Sequence, residues 1–534
     1  MPRVTPPLPR RRQILAGAAT LGIARPFLSR AADTNTLRFI PQADVTILDP
    51  LTTTAYPTRN HGHLCWDTLF GLDASFIPSP QLAAGNVVED DGKRWTFTLR
   101  DGLTFHDGEP IRAQDAVASI RRWLPRDTHG QILSQRLDEI KVLDDRRFEI
   151  RLRRPFGPLL DALAKPWSYP CFVYPERFAA IDPATPLTEV VGSGPYRFVA
   201  SERVSGAQVV YQKFDQYIPT PAGSPSLTAG PKLAWFERQE WKVITDDSTS
   251  AAALQAGEVD WWEAVTPDLR PLLARNADVV LDQPDSNGTY ASLRFNHLQP
   301  PFSDPAARRA LLKAVQQSDF MTAVAGDDPK LWHDGVGCFP VGSPLASNAG
   351  LQALTSPRDL AAARSALEQA GYAGAPIVAL HATDVANQNA LMSVGVDLLG
   401  KLGFKVTDAT SDWGTMLQRR GNRTPIDQGG WNVLIALFSA SEFATPAGNV
   451  LLRGNGANAW FGWPTAPKLE ALREAWFDAP DLPAQKQIGV SIQEQFFQDL
   501  PYIPLGQYLS DTAYRRGLTD VRRGIVLPLN VRRT

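Results

Sequence analysis

The sequence predicts a mixed α/β protein of more than one domain. Three observations carry this. The chain has 534 residues, too many for one compact core. From Asp33 onward, strand-like runs of alternating hydrophobicity are interleaved with amphipathic helical runs. A strand–helix–strand segment in the second half requires a parallel strand pair with a right-handed crossover. With 43% hydrophobic and 21% charged residues, the composition is that of an ordinary globular protein.

Residues 1–31 read as a targeting segment. They hold six arginines (Arg3, Arg10, Arg11, Arg12, Arg25, Arg30) and no acid, so removing them takes the formal net charge from −2 to −8. Arg10 to Arg12 precede a short apolar stretch, Ile14 to Ile23, followed by small residues around Ala31. That stretch is well below the ~20 residues a bilayer span needs. Arg11 and Arg12 in "RRQIL" resemble the twin-arginine export signal, which predicts a soluble periplasmic protein. The acidic remainder argues against nucleic acid as a partner. Cys65, Cys171 and Cys338 are too few and too scattered for a disulfide framework.

The elements follow in order. "RWTFTLR" alternates Trp95, Phe97 and Leu99 inward, and "RRFEIRLRRP" repeats this with Phe148, Ile150 and Leu152. Between them "AQDAVASIRRWL" sets Val117, Ile120 and Leu124 on one helical face. "GSGPYRFV" turns at Gly192, Gly194 and Pro195 before a strand. "DDSTSAAALQAGEVDWW" predicts a cap at Asp247 or Ser248, a helix stopped by Gly257, and a strand through Val259 and Trp261. Alternation then points one of Trp261 and Trp262 inward and the other outward. Asp304 and Pro305 supply N-cap and first-turn chemistry for a helix. "PRDLAAARSALEQAGY" is a helix closed by Gly371, "PIVALHA" a strand, "NQNALMSVGVDLLGKLG" a helix and "FKVTDA" a strand. Ile488, Ile492 and Phe496 line a last helix.

"RDGLTFHDGEP" places His106 beside Asp107, as a metal site, a general base or a tight turn would. Gly108, Pro110 and Asp115 each have a structural use there, as turn, bend and helix-start residues. No nucleophile or further ligand accompanies the pair, so the turn reading prevails. The chain shows no H-E-x-x-H, P-loop or G-x-S-x-G pattern, and no enzyme activity is expected. "HGHLC" invites a metal, but a helix there gives at most two ligands, so neither metal nor cofactor is expected.

The same stretch, "FTLRDGLTFHDGEPIRAQDAV", closely resembles the signature of family 5 extracytoplasmic solute-binding proteins, the dipeptide-, oligopeptide- and nickel-binding components of ATP-driven importers. Phe97, Leu99, Arg100, Gly102, Phe105, His106, Asp107, Gly108, Pro110, Ala113 and Asp115 match it, with Ala116 in place of valine. "LDPLTTTAY", "WDTLFGLD", "GSGPYRF", "LQAGEVDWW" and "LRFNHLQPPFSDPAARRAL" are similar to further segments of the family in its order. The resemblance implies a two-lobed periplasmic-binding-protein-like fold of type II with a hinge. One lobe would be discontinuous (33–69, 190–289 and 505–534) and carry an inserted subdomain (70–189). The other would span 290–504. It implies a monomer that captures a peptide or small organic solute and passes it to an inner-membrane ABC permease.

In peptide-binding relatives an aspartate shortly after a Gly-Trp pair holds the peptide's amino terminus. Here Gly430-Trp431 is present, but no carboxylate occurs between Asp427 and Glu442, although Glu442 is available as a substitute. A buried ammonium needs a charged partner, and Val433 to Phe438 offers an apolar wall instead. The candidate contacts are Tyr56, Asn287 and Tyr290 facing Trp413, Trp431, Phe438 and Trp460, with an apolar or aromatic solute in view. Nickel binding, a secreted hydrolase at His106 and Asp107, and a receptor-coupled sensor are the alternatives.

Overall fold

The computed structural model describes residues 35–372 and 374–534. The expected export signal, with Arg11, Arg12 and Ala31, lies outside the described residues.

A seven-stranded sheet is assembled from distant parts of the chain. Its order is Val279–Asp282, Asp511–Arg515, Trp261–Val265, Thr36–Ile40, Arg238–Lys242, Gln208–Lys213 and Tyr196–Phe198. Thr36–Ile40, the first strand among the described residues, sits in the middle, parallel to both neighbours. A six-stranded sheet runs Trp332–His333, Tyr502–Tyr508, Thr289–Phe295, Val433–Ser439, Pro376–Ala382 and Lys405–Ser411. The crossover helix Ala386–Lys401 joins its last two strands, which are parallel as the sequence requires. The boundary expected between 504 and 505 falls inside strand Tyr502–Tyr508, which pairs along its length with Thr289–Phe295. The chain leaves this sheet only after Tyr508.

A third sheet is antiparallel, in the order Ala83–Glu89, Arg94–Leu99, Arg147–Leu152 and Leu137–Val142. Trp95, Phe97 and Leu99 alternate into its core, where Phe97 stacks on Phe148 with ring centroids 5.0 Å apart. Helix Ala113–Trp123 covers that face with Val117 and Ile120.

Local capping chemistry sets the helix ends. Helix Asp247–Ala256 starts one residue earlier than expected, because Asp246 accepts the Thr249 amide at 2.7 Å. Gly257 closes it in the left-handed region. Strand Trp261–Val265 begins after Val259, and both tryptophans are buried rather than one. The sheet is covered on both faces: Trp261 packs on Phe39 in the main core, and Trp262 joins Ala251, Leu254 and Leu273 in a second cluster. A strand buried on both sides defeats the alternation argument.

Candidate functional site

The His106–Asp107 pair is a structural clasp. The His106 amide donates to the Gly192 carbonyl at 2.7 Å, and its Nδ1 accepts the Gly192 amide at 3.2 Å. Nε2 therefore carries the proton and donates to the Gly194 carbonyl at 2.9 Å. Burial lowers the imidazole pKa to about 4, so the ring is neutral. Asp107 caps the Glu109 amide at 3.2 Å and pairs with Arg177 at 2.6 Å. Asp115 accepts the amides of Arg112 and Glu176, each at 2.8 Å. Two sequence motifs thus hold each other, and both ring nitrogens of His106 are engaged by backbone groups. The second turn needs its glycines: a Cβ on Gly192 would lie 1.8 Å from the Cys65 carbonyl oxygen, and one on Gly194 2.4 Å from that of Leu64. Pro195 adds a carbonyl that accepts the Phe214 amide at 2.9 Å.

"HGHLC" lies on helix Tyr56–Cys65, where His61, His63 and Cys65 are all buried. His61 Nδ1 meets the Tyr211 hydroxyl at 3.0 Å, and His63 Nε2 donates to the Pro166 carbonyl at 2.9 Å. Burial keeps both imidazoles neutral. Among the described residues no group of three or more His, Cys, Asp or Glu side chains is arranged to hold a metal ion.

A cavity of about 140 Å³ lies between the seven- and six-stranded sheets. The former side supplies Gln42, Thr54, Tyr56, Arg59 and Glu263. The latter supplies Trp413, Met416, Arg420, Leu434 to Ser439 and Trp460. Hydrogen bonds cross between the two sides. The Tyr56 hydroxyl accepts the Ser439 amide, Trp460 Nε1 donates to Thr54 Oγ1 at 3.4 Å, and Arg420 Nη2 donates to Thr53 Oγ1 at 3.0 Å.

Four of the seven candidate contacts line this cavity: Tyr56, Trp413, Phe438 and Trp460. Trp431 is fully buried behind the wall, donating to the Arg420 carbonyl at 3.0 Å and packing on Trp463. Tyr290 is also core, its hydroxyl donating to the Gly337 carbonyl at 2.6 Å. It is not among the cavity's lining residues. Asn287 is an exposed turn residue bonded to Ser441 at 2.9 Å. Glu442 is not among the lining residues. It is buried, accepts the Ser168 amide at 3.2 Å, and leaves Oε2 without a partner.

Sequence reasoning passed over the cavity's charges. Arg59 and Arg420 are the lining cations, Glu263 and Asp285 the lining carboxylates. Arg59 lies over the Tyr56 ring, 3.9 Å from its centroid, and donates to Asn60 Oδ1 through Nε and Nη2 at 3.0 and 2.8 Å. Glu263 accepts from Asn60 Nδ2 at 3.1 Å and the Gln42 amide at 2.8 Å. Burial raises its pKa to about 7, and that of Asp285 is raised for the same reason. The signal was spacing. Arg59 lies three residues after Tyr56, and Arg420 seven after Trp413, each one helical face along.

The profile of the bacterial extracellular solute-binding proteins, family 5, matches residues 78–459. The chain belongs to that family. This family 5 solute-binding protein is 35% identical over 513 residues to the probable peptide ABC transporter periplasmic-binding protein y4tO of Sinorhizobium fredii, covering 95% of each chain. It is 26% identical over 370 residues to the glutathione-binding protein GsiB of Escherichia coli K12, covering 67% of this chain and 66% of that one. Its fold is that of the two-lobed periplasmic binding proteins. It matches the dipeptide-binding protein of Pseudoalteromonas sp. SM9913 in complex with Met-Leu at a TM-score of 0.75 and 19% identity, over 93% of this chain and all of that one. It matches AgaA of A. tumefaciens R10, in complex with agropinic acid, at a TM-score of 0.75 and 22% identity, over 91% and 94% of the two chains. Among the described residues of this solute-binding protein, no helix is long and apolar enough to cross a membrane.

Proposed function

We propose that this protein captures a peptide or small organic solute between its lobes and delivers it, chemically unchanged, to an ABC permease. One observation carries the reading: the cavity's lining is shared between two separately built sheets, so one solute can touch both. A solute that contacts both lobes only when they are shut stabilises the shut state, which is closure by population shift. The lobe carrying the seven-stranded sheet would comprise 33–69, 190–288 and 509–534, with 70–189 inserted; the other would be 289–508. Tyr56, Trp413, Phe438 and Trp460 would supply the aromatic contacts. The peptide relatives favour a peptide cargo, and the missing carboxylate after Trp431 favours one whose amino group is held elsewhere. Glu263 and Asp285, which line the cavity, are the available acids. We take the protein to be non-catalytic, monomeric and periplasmic, exported by the twin-arginine route. Both His106 nitrogens being bonded to backbone argues against the hydrolase alternative.

The test is mass spectrometry of small molecules released from protein purified from its native periplasm, then thermal-shift titration with the compounds found. A bound solute should raise Tm in proportion to the logarithm of its concentration. Recovery of no solute, with no shift from any compound tested, would overturn the reading, as would chemical conversion of the compound.

A further inference from the structure

Resting on the capture reading, we infer that Trp460 is a fixed partition that decides which solutes fit the cavity. It shuts the cavity off from an arginine-lined pocket and so rejects solutes with an acidic extension, while a separate acid-lined opening accepts a basic one. Three adjoining spaces carry the argument. The cavity between the sheets, about 140 Å³, is close to the ~150 Å³ that takes a molecule the size of benzene. Any larger solute has to extend out of it. A pocket of about 250 Å³ adjoins the cavity and shares Gln42, Ala264, Val385, Asn387 and Ser510 with its lining. The charged residues lining that pocket are Asp247, Asp268 and Asp384, with no cation among them. A further pocket of about 200 Å³ is lined by Arg126, Arg423 and Arg453 and by no carboxylate. It shares a single lining residue with the cavity, Trp460.

The first junction is broad, whereas at the second the indole stands between the two spaces. The chain beside it divides in the same way: Arg420 lines the cavity and Gly421 the arginine pocket. Trp460 is only 6% exposed and is held from several directions. Its carbonyl and that of Phe461 accept Arg294 Nη2 and Nε at 3.2 and 2.8 Å, and Arg294 is itself fully buried. The ring packs on Phe438 and Phe461, with centroids 5.8 and 5.1 Å apart, and the Arg420 guanidinium lies over it at 5.5 Å. Its Nε1 reaches Thr54 Oγ1 on the opposite side of the cavity at 3.4 Å. A ring pinned at its backbone, face and tip does not swing aside while the two sides stay together. Beyond the wall the field is positive. Arg126 and Arg423 donate to the carbonyls of Leu51 and Ala457 at 3.3 and 2.9 Å, so neither charge meets a carboxylate there. Arg453 pairs with Glu470 at 3.2 Å. Without the indole this pocket would draw an acidic group and repel a basic one.

The probe is a pool of peptides of graded length, each extended by glutamate, glutamine or lysine. Purified full-length wild type, Trp460→Ala and Trp460→Phe are each equilibrated with it, and retained members are quantified by mass spectrometry. Wild type should retain lysine-extended over glutamate-extended members by about tenfold or more. Trp460→Ala should gain the glutamate-extended members and bring that ratio close to one, whereas Trp460→Phe should keep most of it. Trp460→Leu takes the place of Trp460→Ala if the latter shows no cooperative thermal transition. Equal retention of both extensions by wild type overturns the inference while leaving solute capture intact, and this comparison needs no variant to fold. A folded Trp460→Ala that still rejects glutamate extensions also overturns it. So does a gain shared equally by lysine-extended members, because the breach would then lead somewhere other than the arginine pocket. Retention of nothing by wild type overturns capture and the partition together.

Discussion

Glu442 is buried, accepts the Ser168 amide at 3.2 Å, and feels the charges of Lys165 and Arg59. Burial raises its pKa from the usual 4.5 to about 7, more than Lys165 and the Ser168 amide lower it. Between those values the folded protein holds a proton that the unfolded chain has lost, so stability falls as pH rises through that window. Above it, holding the ionised carboxylate costs about 3 kcal/mol. Glu442→Gln should therefore raise Tm at pH 8, with the gain shrinking towards nothing below about 4.5. Thermal unfolding of both proteins across that range checks this; a gain that does not vary with pH would defeat it. His106 works in the opposite sense. Its folded pKa of about 4 lies below the usual 6.5, so its contribution is lost as pH falls through that interval. His106→Ala should cost about 1–3 kcal/mol in urea unfolding near neutral pH and lose that acid dependence. It should leave solute affinity within a few-fold of wild type in the material that folds. A much larger loss of binding would give the pair a functional role.

At the scale of elements, what was legible in the sequence was local. The His106 turn, the Gly-Ser-Gly-Pro turn, the Asp304 cap and the Gly257 and Gly371 stops each depend on residues a few positions apart. Their chemistry is written where it acts. The alternating strands Arg94–Leu99 and Arg147–Leu152 were legible for the same reason. Trp431, Tyr290 and Trp262 were not, because whether an aromatic faces a cavity or a core is decided by elements far away in the chain. Trp431 is sealed by Trp463, and Trp262 by helix Asp247–Ala256. Arg59 and Arg420 were missed because their spacing from Tyr56 and Trp413 shows a shared helix face, whereas that this face lines a cavity is decided by distant elements. The same reasoning makes the Gly-Ser-Gly-Pro turn breakable at one atom. Gly194→Ala would push a methyl against the Leu64 carbonyl, a backbone group that moves only with helix Tyr56–Cys65. We expect a loss of about 2 kcal/mol or more in urea unfolding. Because the helix begins at Tyr56, solute affinity should fall as well. A variant as stable as wild type would mean that the two segments are less tightly tied than their geometry requires.

For the whole molecule, the decisive contacts are those that hold the halves together around the cavity. Besides the bonds at Tyr56, Trp460 and Arg420, an ion-pair cluster bridges Arg136 and Arg154 to helix Pro467–Phe477 and the Asp478 that follows it. Arg136 pairs with Glu474 and Asp478 at 3.1 and 2.8 Å, and Arg154 pairs with Asp478 at 2.9 Å and with Glu474. The Arg136 side chain is 1% exposed, whereas the acids and Arg154 are partly solvated. Exposed pairs contribute little, but a buried guanidinium stripped of both carboxylates is left uncompensated. In Glu474→Gln combined with Asp478→Asn, Arg136 would regain a favourable environment only by reaching water, which requires helix Thr128–Arg136 to part from that helix. If closure works as proposed, the solute-free double variant should have a larger radius of gyration in solution scattering than wild type. Saturating solute should reduce the difference, because solute contacts replace part of what the cluster supplied. Apparent affinity should fall by the fraction of molecules held open. Scattering profiles that match wild type without solute, together with unchanged affinity, would show that the cluster is surface decoration and that closure is governed by the cavity contacts alone.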